Sequence, residues 1–459
     1  MGHILRCISP IDGSVFAERE ALSPEAARQA ADRARAAQAE WAARPLRERI
    51  DLVRAGIAAV GAMNDELVPE LARMMGRPVR YGGEFGGFEE RGNHMATIAE
   101  EALADIAVGE DATVKRYIKR IPHGVVLVVA PWNYPYMTAI NTVAPALIAG
   151  NSVLLKHATQ TLLAGERMAR AFHSAGVPEA VFQNVFLDHA TTSTLLADRA
   201  FDFVNFTGSV DGGRAMEQAA AGTFTGLGLE LGGKDPGYVM EDADLDAAVA
   251  ALIDGAMFNS GQCCCGIERI YVHESLYEAF VDKAVAIVEG YKLGNPLAAD
   301  TDIGPMANIR FAREVRSQID EALAAGARAH VTQKPEDDGG TYLSPQILTE
   351  VTHDMRVMRE ETFGPVVGIM KVSGDEEAIR LMNDSRFGLT ASLWTADIAR
   401  AQRVGDRVET GTVFMNRADY LDPGLCWTGC KESGRGGGLS VIGYHNLTRP
   451  KSYYLKKTT

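Results

Sequence analysis

The chain has 459 residues, with 46 Lys and Arg against 60 Asp and Glu and a formal net charge of −14. That length allows two or three structural units and a core that needs neither disulfides nor a metal. The acidic balance disfavours a nucleic-acid or anionic-membrane partner, and the longest apolar runs, such as Val125 to Pro131, are too short to span a membrane.

Met1-Gly2-His3-Ile4-Leu5-Arg6 lacks the apolar core of a secretory signal. The first hundred residues then read as mostly helical, with Ser23 as an N-cap and Pro24 at the first position of an Ala/Arg-rich stretch. The pattern changes at Lys115 to Ile121, a basic-apolar alternation suited to a strand. Strands and helices alternate from there: strand Val125 to Ala130, helix Asn133 to Ala149, strand Ser152 to Lys156, helix Leu162 to Ser174. Short strands follow at Asn184 to Phe186 and Phe201 to Phe206, then a helix over Gly212 to Ala221 and a strand over Thr225 to Leu229.

After Gly232-Gly233 the alternation restarts with strand Gly237 to Met240, helix Leu245 to Phe258, strand Ile267 to His273 and helix Leu276 to Glu289. Further strands fall at Val366 to Val372, Ala391 to Thr395 and Thr412 to Asn416. Strands separated by helices imply βαβ units, a parallel sheet and helices on both faces. The fold class is therefore α/β, with two α/β domains divided near Gly232. Six cysteines, three of them adjacent at Cys263, Cys264 and Cys265, do not make a disulfide framework and point to a reducing cytoplasm.

Four local features carry chemistry. Gly261-Gln262-Cys263-Cys264-Cys265 offers a thiol nucleophile beside small and polar neighbours, or simply packing. No second Cys or His pair stands at zinc spacing, so no metal is expected. Glu230-Leu231-Gly232-Gly233-Lys234 ends a strand and reads as a general base before a sharp turn, or as an exposed strand end. Asn133, in Pro131-Trp132-Asn133-Tyr134-Pro135, either caps a helix or gives its amide to a developing oxyanion. Phe206-Thr207-Gly208-Ser209 leads a strand into a helix amino terminus suited to a pyrophosphate. The usual Gly-x-Gly-x-x-Gly fingerprint of dinucleotide sites does not occur.

In this order, and followed by Glu361-Thr362-Phe363-Gly364-Pro365 and Lys431-Glu432-Ser433-Gly434-Arg435-Gly436, these motifs resemble the NAD(P)-dependent aldehyde dehydrogenase superfamily over nearly the whole chain. The resemblance makes Cys264 the nucleophile, Glu230 the base that activates water, and Asn133 the oxyanion donor. It places Trp132, Lys156, Thr159, Gly208, Ser209, Glu361 and Phe363 against NAD or NADP. Tyr134, Met137, Asn141, Phe258, Leu421 and Trp427 would line a substrate tunnel, with Asp419 at its mouth.

It also implies a Rossmann-type cofactor domain over 1–107 and 125–232 and a catalytic domain over 233–445. A small β arm over 108–124 and 446–459 would join a homodimer or homotetramer. The implied activity is oxidation of an aldehyde to its acid through a cysteine thioester. The alternatives are a coenzyme-A-acylating semialdehyde dehydrogenase, disfavoured by Glu230, and a non-catalytic relative. An acidic mouth with aromatic walls favours neutral or amine-bearing aldehydes over carboxylated ones, with Arg417 as the residue that keeps semialdehydes open. Two departures stand out. Arg435-Gly436-Gly437-Gly438 has no carboxylate where many members place one, and Thr159 stands where strictly NAD-dependent members often have Glu.

Overall fold

The computed structural model describes residues 3–457; the chain ends 1–2 and 458–459, which the expected units included, lie outside them. The opening is not helical. Ile4–Ile8 and Val15–Glu20 form an antiparallel hairpin, with Leu5 and Cys7 buried and their neighbours exposed. Four helices follow: Pro24–Ala43, Leu46–Gly61, Asn64–Met75 and Phe85–Ala102. The first starts as its sequence dictates, the Ser23 side chain accepting from the Ala26 N–H and Pro24 filling the first turn. It buries Ala27, Ala30, Ala31, Ala34 and Trp41 at helical spacing.

Two large sheets organise the rest. In the first, Gly226–Glu230, Phe203–Thr207, Val125–Ala130, Ser152–His157 and Phe182–Asn184 run parallel in that order. Val125–Ala130 and Ser152–His157 are buried along their whole length, as central parallel strands covered on both faces must be. The expected strand at Asn184 to Phe186 sits two residues early because Phe182 anchors it in the core. A sixth strand, Gly434–Arg435, pairs antiparallel with Gly226–Glu230, so the carboxy-terminal motif returns to the first sheet.

The second sheet has seven strands, in the order Arg328–Ala329, Gln346–Thr349, Val366–Val372, Ile267–His273, Asp235–Val239, Thr390–Trp394 and Thr412–Met415. All its pairings are parallel except the one between Arg328–Ala329 and Gln346–Thr349. The chain passes from one sheet to the other at Leu231 to Lys234. A third sheet joins Ile106–Glu110 and Val114–Pro122 to Thr448–Lys456. No helix among the described residues is long and apolar enough to cross a membrane.

This topology makes the site. Ligands of open parallel sheets bind outside the carboxyl ends of the strands, where loops diverge. Val125–Ala130 runs out into Trp132-Asn133, Ser152–His157 into Thr159, Phe203–Thr207 into Gly208-Ser209, and Gly226–Glu230 into Leu231-Gly232.

Candidate active site

Those four strand ends, with Cys264 and the Glu361–Phe363 segment from the second sheet's side, border one cleft of about 610 Å³. Trp132, Asn133, Lys156, Thr159, Gly208 and Ser209 line it from the first sheet; Cys264, Glu361 and Phe363 line it opposite. Trp132 stacks on Phe311 at 5.1 Å between ring centroids and meets Phe363 edge-on at 5.5 Å. The helix expected from Gly212 begins at Val210, and the Ser209 side chain caps it by accepting from the Gly212 N–H. Its amino terminus therefore opens on the cleft, suited to an anion.

Lys156 is 5 % exposed, and its ammonium makes only a long 3.5 Å bond to the His157 carbonyl. Burial lowers its pKa to about 8. A buried ammonium without a carboxylate partner, a helix amino terminus and an aromatic slot together fit a nicotinamide dinucleotide: Lys156 and Thr159 for the adenosine ribose, Gly208 and Ser209 for the pyrophosphate, Glu361 and Phe363 for the nicotinamide riboside.

Glu361 is held by the Gly233 N–H at 2.9 Å, and burial, with Glu268 nearby, raises its pKa to about 8. The backbone that presents it is fixed by a buried pair the sequence reading missed. Lys234 meets Glu268 at 2.6 Å, and the Glu268 carboxylate also accepts from the Thr362 and Phe363 N–H groups, each at 2.8 Å. That carboxylate holds Phe363 in a left-handed backbone conformation, φ 53°.

Cys264 sits in the loop before Ile267–His273, its thiol partly exposed to the cleft while Cys263 and Cys265 are buried. The neighbouring Cys263 and then Cys265 thiols lower the Cys264 pKa against the opposing effect of burial. The flanking thiols are thus more than packing, because they stabilise the thiolate that attacks.

Asn133 does not begin a helix. The helix expected from Asn133 starts at Pro135, whose ring suits its first turn, and Asn133 is left outside it, 4 % exposed. Its amide donates to the Gln262 carbonyl at 3.3 Å, which leaves a second N–H for a ligand. Arg77 and Asn259 clamp its backbone: the Asn133 carbonyl accepts from the Arg77 guanidinium at 2.6 Å and from the Asn259 amide at 3.3 Å. Arg77 pairs with Glu84 at 2.9 Å in full burial. Glu84 in turn accepts from the Tyr136 and Met137 N–H groups in the first turn of Pro135–Ile148. None of Arg77, Glu84 or Asn259 carried a readable signal, since each acts through a partner distant in sequence.

Glu230 lies beside the cleft rather than on it. Thr207, which lines the cleft, donates its hydroxyl to the Glu230 carboxylate at 3.3 Å. The carboxylate borders a smaller neighbouring cavity with Asn141, Asn205, Arg435 and Gly438, and burial raises its pKa to about 7.

The substrate positions divide. Tyr134 and Trp427 belong to the large apolar core against whose margin Met137, Phe258, Leu421 and Cys264 also pack. Asn141 does not join them. It borders the Glu230 cavity, and neither of its amide atoms has a partner. The expectation of an acidic mouth at Asp419 fails on geometry. Its carboxyl accepts from the Cys265 thiol at 3.0 Å and the Cys263 thiol at 3.3 Å, and burial holds its pKa well above the carboxylate range. A half-buried carboxyl turned onto two thiols, with its pKa held up, is poorly suited to present a charge at a tunnel entrance. Arg417, the residue that would serve a carboxylated substrate, stacks on Tyr420 with its guanidinium 3.6 Å from the ring centre.

Comparison with known proteins agrees with this geometry. The model of the aldehyde dehydrogenase family matches residues 2–453. A succinate-semialdehyde dehydrogenase [NADP(+)] of Mycolicibacterium paratuberculosis is 36 % identical over 364 residues, covering 79 % of this chain and 77 % of that protein. Among solved structures, succinate-semialdehyde dehydrogenase from Burkholderia pseudomallei superposes with a TM-score of 0.94 at 32 % identity, covering 99 % of this chain and 94 % of that one. NADP-dependent glyceraldehyde-3-phosphate dehydrogenase from Bacillus halodurans C-125, complexed with NADP, gives a TM-score of 0.93 at 33 % identity, covering 99 % and 96 %. The chain belongs to the aldehyde dehydrogenase family, and with it to the NAD(P)-dependent oxidoreductases that act on aldehydes.

Proposed function

We propose that the chain oxidises an aldehyde to its carboxylic acid through a thioester on Cys264, using NADP as well as NAD. The observation that carries this is Cys264 itself, a thiol acidified by its two neighbours and partly exposed on the cleft that Asn133 shares. The Cys264 thiolate adds to the carbonyl carbon. The oxyanion that forms accepts from the Asn133 amide and the Cys264 N–H. The nicotinamide cofactor, when bound, supplies the hydride acceptor. Glu230, rotated from the Thr207 hydroxyl towards Cys264, takes a proton from water, which attacks the thioester and releases the acid. A coenzyme-A-acylating role is the weaker reading because Glu230 serves hydrolysis. The test is product analysis with and without coenzyme A: this reading expects free acid in both cases.

Thr159 bears on the cofactor. A Glu there would bond the ribose hydroxyls and repel a 2′-phosphate, whereas Thr does neither and Lys156 places positive charge on the same cleft. Thr159→Glu should lower kcat/KM for NADP by roughly thirtyfold, about 2 kcal/mol of like-charge repulsion in a partly screened site, and leave NAD nearly unchanged. An unaltered NADP to NAD ratio contradicts this.

The apolar walls suit an uncharged aldehyde. One observation favours a semialdehyde as the second reading. Arg91 is buried, bonds only the Met137 carbonyl at 3.4 Å, has an Nε without a partner, and lies close enough to Glu230 to lower its pKa. A spare buried guanidinium suits a substrate carboxylate, and two of the three relatives above are named for such a substrate. If succinic semialdehyde outperforms a neutral aldehyde of equal length, Arg91→Met should cost it at least about tenfold in kcat/KM, the worth of one charge-assisted hydrogen bond, and spare the neutral aldehyde. Equal losses for both substrates dispose of that reading.

The sheet of Ile106–Glu110, Val114–Pro122 and Thr448–Lys456 supports an oligomerisation arm within the expected division into cofactor and catalytic domains. It exposes Ile106, Val108, Tyr454 and Leu455, apolar surface suited to a second copy of the chain. Sedimentation should give two or four times 49.4 kDa; a monomer at micromolar concentration contradicts the arm.

A further inference from the structure

We propose that the thiols of Cys263 and Cys265 and the carboxylate of Asp419 form a binding site for a thiophilic divalent cation of the Zn²⁺ class. Asp419 arrives from a loop more than 150 residues further along the chain, in a left-handed conformation with φ 48°, which is why ligand spacing in the sequence gave no sign of it. The three donor atoms lie within 4.8 Å of one another. Their separations are 3.6 Å between the two sulfurs and 3.0 and 3.3 Å from sulfur to the Asp419 oxygen. Tetrahedral zinc, with Zn–S about 2.3 Å and Zn–O about 2.0–2.2 Å, has ligand edges of about 3.8 Å between sulfurs and about 3.6 Å from sulfur to oxygen. The cluster therefore needs its edges to lengthen by between about 0.2 and 0.6 Å to enclose such an ion.

The donor chemistry agrees. Two sulfurs and one oxygen select a soft or borderline cation over Mg²⁺ or Ca²⁺. No ion pair to Asp419 forms among the described residues, and the thiols are its hydrogen-bond donors. A cation takes the place of those donors: two S–H bonds and the Asp419 O–H bond break, two metal–sulfur bonds and one metal–oxygen bond form, and three protons leave to solvent with no change of oxidation state.

The probe is Co²⁺, titrated into the reduced, chelator-treated full-length chain. A thiolate-to-cobalt charge-transfer band with intense tetrahedral visible bands should saturate at one equivalent. Cys265→Ser and Asp419→Asn should each lose these bands, and Cys263→Ser serves as a second variant if either fails to fold by circular dichroism. Cys264→Ala should keep both the one-equivalent endpoint and the bands. Absence of a saturating band in the wild type overturns the site. So does a band that survives in Cys265→Ser and Asp419→Asn, or one that depends on Cys264 alone. The spectrum does not depend on the catalytic role of Cys264. Aldehyde oxidation is a separate readout that rests on that role, so the two failures are distinguishable.

Discussion

Cys264→Ala is expected to reduce aldehyde oxidation by on the order of 10⁴-fold or more, because no other group in the cleft can form the covalent bond on which both half-reactions depend. Cys263 and Cys265 are buried behind it and hydrogen-bond to Asp419, so neither can take over the attack. Their removal should act differently. Both lower the Cys264 pKa, so Cys263→Ala or Cys265→Ala should raise it, costing at most about tenfold near neutral pH. The loss should diminish as pH rises, because the thiolate fraction recovers. The measurement is initial rate against pH for the three variants. A dead Cys263→Ala enzyme that is folded and binds cofactor would move the nucleophile assignment.

Glu230→Gln is expected to separate the two halves of the reaction. A carboxylate whose task is to activate water contributes about 10²–10⁴ in rate, so steady turnover should fall by that range while the first-turnover burst of reduced cofactor survives. The sign of the pH dependence follows from burial. Burial raises the Glu230 pKa to about 7, and only its ionised form takes a proton. Hydrolysis in the wild type should therefore rise as pH increases through about 7 and level off above it, and Glu230→Gln should flatten that limb. Equal loss of burst and turnover would mean that Glu230 activates the thiol or holds the site together.

The legible parts of this molecule are those where a local pattern decides the structure. Val125 to Ala130 and Ser152 to Lys156 are apolar enough to read as buried strands, and the motif after each falls at the cleft for that reason. Ser23 and Pro24 start their helix by a rule that acts over four residues. The opening hairpin was missed although its burial alternates residue by residue, because five residues of alternation beside a long alanine-rich stretch are a weak signal. Gly434–Arg435 is two residues long and has no period to read.

Illegible in a different sense were the residues whose role is set by a distant partner. Arg77 holds Asn133 across 56 positions and Glu268 holds Thr362 across 94. The motifs marked the groups that touch substrate and cofactor, but not the buried ion pairs that aim them. Asp419 and Asn141 take side-chain directions that alignment to a tunnel, which fixes only a backbone position, leaves open. Asp419 turns under the thiols, and Asn141 turns to the cavity behind Glu230.

The central claim is that oxidation passes through an acyl group on Cys264 that Glu230 helps to release. Mass spectrometry of Glu230→Gln, quenched in acid after one turnover with a simple aldehyde and cofactor, tests it most directly. The account predicts one acyl adduct per chain, on the Cys264 sulfur in the peptide that also holds Cys263 and Cys265. An adduct on either neighbour, or a full burst of reduced cofactor with no adduct on any cysteine, would contradict it.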